Sequence, residues 1–123
     1  MIKCIEHVAI AAQESKKLAD WYVRNLNFSF VRQIGPTVYI RDPRGVTVEF
    51  VPAESLPLPP QMRDRGLRHI AFEVDDIERT YATLSASGVE FVSGPISMEG
   101  MQLHFFQDME GNFLHLVQRD RPL

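Results

Sequence analysis

Apolar and polar positions along the chain fall into two kinds of run, and the runs come twice in the same order. From about Ile5 to Ala11 the residues are small or β-branched and alternate weakly. Val8 and Ile10 share one face; His7, Ala9 and Ala11 share the other, which predicts a strand. From Glu14 to Leu26 the period lengthens. Leu18, Trp21, Tyr22 and Leu26 recur at helical spacing, with Lys16, Lys17, Asp20 and Arg24 between them, as in a helix with one buried face. Ser15 or Gln13 is placed to cap its start, and Asn27 to take the left-handed conformation that ends it. Strands are expected next at about Phe28–Ile34 and Thr37–Arg41, joined by a turn at Gly35-Pro36. An Asp42–Gly45 turn leads into a strand at Val46–Val51, so the order is β-α-β-β-β.

Residues 52–66 have no period, and four of them (52, 57, 59 and 60) are proline, which predicts a stiff, extended linker. The pattern then restarts. Arg68–Val74 reads as a strand, with Ile70, Phe72 and Val74 on one face and His69, Ala71 and Glu73 on the other. Asp75-Asp76 puts negative charge at the positive end of a helix. Ile77, Tyr81 and Leu84 line its apolar side and Gly88 ends it. Strands follow at about Glu90–Val92, Gln102–Gln107 and Phe113–Gln118, and Gly94-Pro95 answers Gly35-Pro36.

The repeat is sharpest in two short stretches. Asp42-Pro43-Arg44-Gly45 and Asp108-Met109-Glu110-Gly111 each open an apolar strand, and each strand carries one metal-competent side chain seven places after the Asp: Glu49 and His115. Aligning the halves pairs His7 with His69, 62 places apart, and Glu49 with His115, 66 apart. Four extra residues in the second half fit the loop around Pro95–Gly100. The expected organisation is α+β: one domain over residues 1–123, made of two βαβββ modules at 4–51 and 67–118 with the linker at 52–66. Modules of about fifty residues bury their own sheets poorly and should pack together. A curved sheet with its helices outside would turn the opposite face inward, around a cavity.

Composition narrows the class. The chain has 123 residues, 45% hydrophobic and 24% charged, with a net charge of −3. That is a soluble globular balance without the basic footprint of a nucleic-acid binder. No run of about 20 apolar residues is present to span a membrane, and Met1–His7 lacks the apolar core of a signal peptide. With Cys4 as the single cysteine, a reducing cytoplasm is expected, and Cys4 is expected to pack as a small hydrophobe.

His7, Glu49, His69 and His115 all fall on the face away from the helices, at two pairs of equivalent positions. Convergence of the four around one cavity would give three imidazoles and a carboxylate, a set suited to one divalent ion: Zn, Fe, Ni, Co or Mn.

The stretches Ile5–Ile10, Trp21–Phe28, Arg68–Ile77 and Phe106–Leu116 resemble the vicinal-oxygen-chelate superfamily, which includes glyoxalase I, methylmalonyl-CoA epimerase, fosfomycin- and bleomycin-resistance proteins and extradiol dioxygenases. The resemblance implies paired βαβββ modules in a cup-shaped mixed sheet, with a divalent metal held by the first, fourth, fifth and eighth strands. Two departures stand out. The family usually has Glu where this chain has His115, and many members have Gly where this helix ends at Asn27. The first leaves Glu49 as the sole carboxylate of the four, whereas the glyoxalase and epimerase members commonly use two as acid and base.

Four protein ligands on an octahedral ion leave two positions for adjacent substrate oxygens. That favours a small substrate passing through an enediolate, enolate or catecholate. Three functions follow from the resemblance: a glyoxalase-type isomerase or lyase with Glu49 as base, a non-haem Fe(II) extradiol-type dioxygenase, or a drug-binding resistance protein. Tyr39, Arg41, Phe105 and Phe113 share the inner face by alternation and are candidate substrate-binding residues. Arg63, Arg65 and Arg68 either close over an anionic substrate or form a solvated linker. His104 falls on the helix-packed face, outside the site. A homodimer is expected.

Overall fold

The computed structural model describes residues 1–55, 57 and 60–123. The chain divides into two compact units, Met1–Leu58 and Pro59–Leu123. Residues 56, 58 and 59 of the expected linker lie outside the described residues.

The first unit runs β1 (His7–Ala12), α1 (Ser15–Asn25), β2 (Ser29–Ile34), β3 (Thr37–Arg41) and β4 (Thr47–Pro52). Its sheet has the order β1-β4-β3-β2, with β1 parallel to β4 and the other pairs antiparallel. Val38, Ile40, Val48 and Phe50 are buried on one face, where α1 contributes Leu18, Ala19 and Tyr22. The Tyr22 ring meets Phe50 at 5.2 Å and Phe28 edge-on at 5.6 Å. Small Ala19 is buried more deeply than Trp21, which packs edge-on to Tyr22.

Glu14 takes the cap position of α1 without a side-chain hydrogen bond, so neither Ser15 nor Gln13 is the capping residue. Asn27 ends the helix at φ 60°, a conformation that Asn tolerates better than most side chains. Strand β1 begins at His7, so Cys4 precedes the sheet and has no face to pack against; it is exposed rather than buried. At the other end β4 continues through Pro52 at the edge of the expected linker.

The second unit runs β5 (His69–Glu73), α2 (Ile77–Ala86), β6 (Glu90–Phe91), β7 (Ile96–Met98), β8 (Met101–Gln107) and β9 (Phe113–Arg119). Its order, β5-β9-β8-β6, repeats that of the first unit, with β7 added on β8. Asp76 caps α2 by accepting from the Arg79 N–H at 3.0 Å, and the Gln118 side chain accepts from the Ile77 N–H at 2.8 Å. Ile77 and Leu84 are buried beneath the helix, whereas Tyr81, expected on its buried side, keeps 39% of its surface exposed.

Strand β7 was absent from the sequence-based expectation. It arises because the four extra residues lengthen the β7–β8 hairpin, pairing Ser97 with Gln102 and Met98 with Met101. The turn equivalent to Gly35-Pro36 is therefore Glu99-Gly100; Gly94-Pro95 instead lies between β6 and β7. Arginine 68 has a local role: its guanidinium donates to the carbonyls of Gln61, Arg65 and Gly66, tying the segment before β5 into a loop. No helix is long and apolar enough to cross a membrane.

Candidate functional site

The repeated Asp-x-x-Gly stretch forms the same turn in both units, with one further side-chain hydrogen bond in the second. In the first, Asp42 Oδ1 accepts from the N–H groups of Arg44 (3.0 Å) and Val46 (2.8 Å). In the second, Asp108 Oδ1 accepts from Glu110 (2.9 Å) and Asn112 (3.0 Å), and Asp108 Oδ2 from Asn112 Nδ2 at 2.8 Å. Each loop also closes by backbone bonds: Gly45 N–H to Asp42 O, and Gly111 N–H to Asp108 O, both 3.1 Å. Both glycines have positive φ, 99° and 85°, where a Cβ would be strained.

This shared turn sets the phase of the strand that follows. Glu49 lies opposite Ala9 of β1, and His115 opposite Ala71 of β5, in matching parallel registers. Side chains alternate along a strand. Val48 and Phe50, like Leu114 and Leu116, therefore pack toward the helix while Glu49 and His115 project from the other face. His7 and His69 stand two places earlier than those alanines on the same face, diagonal to Glu49 and His115.

Each unit thereby assembles a pair. In the first, His7 Nε2 lies 2.8 Å from Glu49 Oε2, and Glu6 Oε1 contacts His7 Nδ1 at 2.9 Å. A carboxylate only accepts, so each contact is made by a ring N–H, Nδ1–H to Glu6 and Nε2–H to Glu49, and a metal held at Nε2 would take the place of the second proton. In the second, the His69 and His115 rings lie 4.6 Å apart. His115 Nδ1 donates to the Leu116 carbonyl at 3.0 Å, which leaves Nε2 as the ligating nitrogen of the neutral ring. His115 is 6% exposed. Burial pushes its pKa below 6.5, helped by the charges of His69 and Arg119 and opposed by the Leu116 hydrogen bond. The neutral ring that results is the form a metal requires.

The donor chemistry of both pairs fits a divalent ion: nitrogen and carboxylate oxygen, with second-sphere partners orienting His7 and His115. Among the described residues, no group of three or more His, Cys, Asp or Glu side chains is gathered to hold a metal; what stands together is one pair in each unit.

The candidate substrate residues share these faces. Tyr39 lies opposite Glu49, and Arg41 opposite Thr47, where Arg41 Nε donates to Thr47 Oγ1 at 3.2 Å. Phe105 lies opposite His115, with ring centroids 4.8 Å from His115 and 5.8 Å from His69. Phe113 is in register with His69. Glu73 is on the same face and exposed. His104 lies on the helix side, stacked on Tyr81 at 4.5 Å.

Sequence reasoning passed over Glu6. Its signal was the residue preceding each histidine, Glu6 in one half and Arg68 in the other. Glu6 turns to its histidine, and Arg68 to its own loop.

A family model described as the glyoxalase/bleomycin resistance protein/dioxygenase superfamily matches residues 4–116. YetH of Bacillus subtilis (strain 168) is 29% identical over 124 residues, taking in 96% of this chain and 100% of that protein. The crystal structure of a glyoxalase family protein from Enterococcus faecalis matches with a TM-score of 0.76 at 29% identity, covering 94% of this chain and 97% of that one. The fosfomycin resistance protein FosX from Listeria monocytogenes shares the fold, with a TM-score of 0.76 at 16% identity over 96% of this chain and 94% of that one.

Proposed function

Since the chain belongs to the glyoxalase/bleomycin resistance protein/dioxygenase superfamily, we propose that it is a metal-dependent enzyme acting on a small substrate with two adjacent oxygens, and that the reaction is a proton transfer of the isomerase or lyase type. The observation that carries this reading is the His7–Glu49 pair, 2.8 Å apart, matched at the equivalent strand positions by His69 and His115. His7, Glu49, His69 and His115 are the proposed ligands of one divalent ion, and residues 1–123 the proposed single domain. When bound, the ion would supply Lewis-acid stabilisation of negative charge on the substrate oxygens.

Glu49 is the proposed base. It is the carboxylate of the four, and its oxygen already sits at hydrogen-bond distance from a ring nitrogen that can hold it in place. A proton removed from carbon beside a carbonyl would pass to this carboxylate. Glu6 orients His7 through Nδ1. His115, neutral and buried, binds but offers no second carboxylate, so a two-base epimerase is a poor fit. Tyr39 and Phe105 line the substrate on their respective faces, with Arg41 and Phe113 beyond them.

The cluster of Phe105 with His69 and His115 favours a second reading, oxygen chemistry on a planar catechol with Fe²⁺ at the same residues. Assay of the protein loaded with each metal separates the two. Turnover of a hydroxy-carbonyl substrate without oxygen, with Ni²⁺, Co²⁺ or Zn²⁺, supports proton transfer. Oxygen uptake with Fe²⁺ and a catechol supports the dioxygenase. Binding of a drug-like ligand with no turnover under either condition leaves the resistance-protein reading. The proposed assembly is a homodimer in the cytoplasm, and a sedimentation mass equal to one chain would contradict the dimer.

A further inference from the structure

In the second unit the strand sequence after α2 is interrupted, and a pocket opens there. In the first unit β2 pairs along β3 with a single irregularity after Phe30. In the second, the corresponding strand is broken: β6 ends at Phe91 and β7 begins at Ile96. Ser93 bridges the gap. Its hydroxyl accepts from the Phe105 N–H at 3.1 Å, and its carbonyl accepts from His104 Nε2 at 2.8 Å. Between this break and α2 lies a pocket of about 410 Å³, within the size range of small-molecule sites.

The pocket reaches a residue that the repeat marks as unusual. His104 lies opposite Leu116 as Val38 lies opposite Phe50, so an imidazole stands where the first unit packs a fully buried valine. His104 is only 6% exposed. Burying a polar ring in place of an apolar side chain costs free energy unless its nitrogens are satisfied. Nε2 is satisfied by Ser93. Among the described residues no fully buried side-chain nitrogen or oxygen is left without a partner, so Nδ1 is not sealed off in the core. The Tyr81 ring lies almost parallel to His104, 16° apart in plane, and Phe91 closes against both rings at 4.7 and 4.6 Å. Ile77 and Leu103 add apolar wall. Glu78, one helical turn before Tyr81, is the one charged side chain lining the pocket among the described residues.

We propose that this pocket is a second ligand site that takes a small organic cation with an aromatic body. The aromatic body packs on the Tyr81–His104 pair, and the ammonium group sits at the Glu78 carboxylate, where ring faces and carboxylate both favour positive charge. The site is on the helix side of the sheet, whereas His69 and His115 project from the other face. It does not depend on the metal reading.

The test is titration of the native protein with phenethylammonium, followed by the NMR resonances of Tyr81, His104, His69 and His115. The expected result is saturable shifts at Tyr81 and His104 with His69 and His115 unmoved. Phenylacetate, with the same ring and the opposite charge, should bind at least tenfold more weakly, and Glu78→Gln should weaken phenethylammonium about fivefold or more. His104→Val, which copies Val38, should reduce binding by a similar factor. Should that variant fail to fold, the exposed Glu78→Gln substitution and the charge-reversed probe still decide. Absence of saturable shifts up to about 10 mM, equal binding of phenylacetate, or an unchanged affinity in Glu78→Gln would each overturn the proposal.

Discussion

Glu49 and His115 occupy the same slot of a repeated strand and are proposed to do different things. Glu49→Gln keeps the size and one acceptor but loses the base, so turnover should fall about 10²–10⁴-fold while metal binding falls less. His115→Ala removes a ligand, so metal affinity should fall at least as much as turnover; competition with a chromophoric chelator, run beside the assay, measures both. Glu6→Gln leaves every proposed ligand in place but weakens the orientation of His7. A loss of metal affinity of about tenfold is expected, and an unchanged affinity would assign Glu6 to the solvent. His115 also predicts a pH dependence in the metal-free protein. Its folded-state pKa lies below 6.5, so in that interval the unfolded chain binds more protons than the folded one. The contribution to stability is therefore complete above pH 6.5 and is lost as pH falls through the folded value. Urea midpoints measured on either side of pH 6.5 should show the drop, and His115→Asn should flatten it.

At the scale of elements, the Asp-x-x-Gly loop is what aims each pair. Asp108 is buried and its carboxylate accepts from the Glu110 N–H, the Asn112 N–H and Asn112 Nδ2, whereas the Asp42 carboxylate accepts from the Arg44 and Val46 N–H groups and is less enclosed. Asp108→Ala should destabilise by about 2–3 kcal/mol and Asp42→Ala by about 1 kcal/mol, read from chemical denaturation. Equal costs would mean that the two turns are not buried differently in solution. These loops were legible in the sequence because the Asp must accept local N–H groups and the Gly must take a positive φ, and few residue types meet either demand. The phase of the following strand could then be read at once, and with it the faces that carry His7, Glu49, His69 and His115. Less could be read where chemistry is permissive. Gly94-Pro95 looked like the partner of Gly35-Pro36 because both dipeptides turn a chain, yet only pairing along β8 shows that the hairpin turn is Glu99-Gly100. Cys4 looked like a core residue because strand-like composition extends beyond the first residue that pairs. The Glu6–His7 contact is between chain neighbours, and no periodicity announces it.

Across the whole chain, the two units repeat one sheet order and one pair of ligand positions, and the family match spans nearly all of both. If one ion draws on both units, loading it should raise the melting temperature of the protein in proportion to the logarithm of free metal concentration, and His7→Ala and His69→Ala should each abolish the rise although they lie in different units. The most direct measurement is the metal content of the purified chain and of these two variants after dialysis against Zn²⁺, Fe²⁺, Ni²⁺, Co²⁺ and Mn²⁺ in turn. One tightly held ion per chain, lost in both His7→Ala and His69→Ala, is the expected result. No ion retained by the native chain, or an ion kept undiminished by either variant, would contradict it.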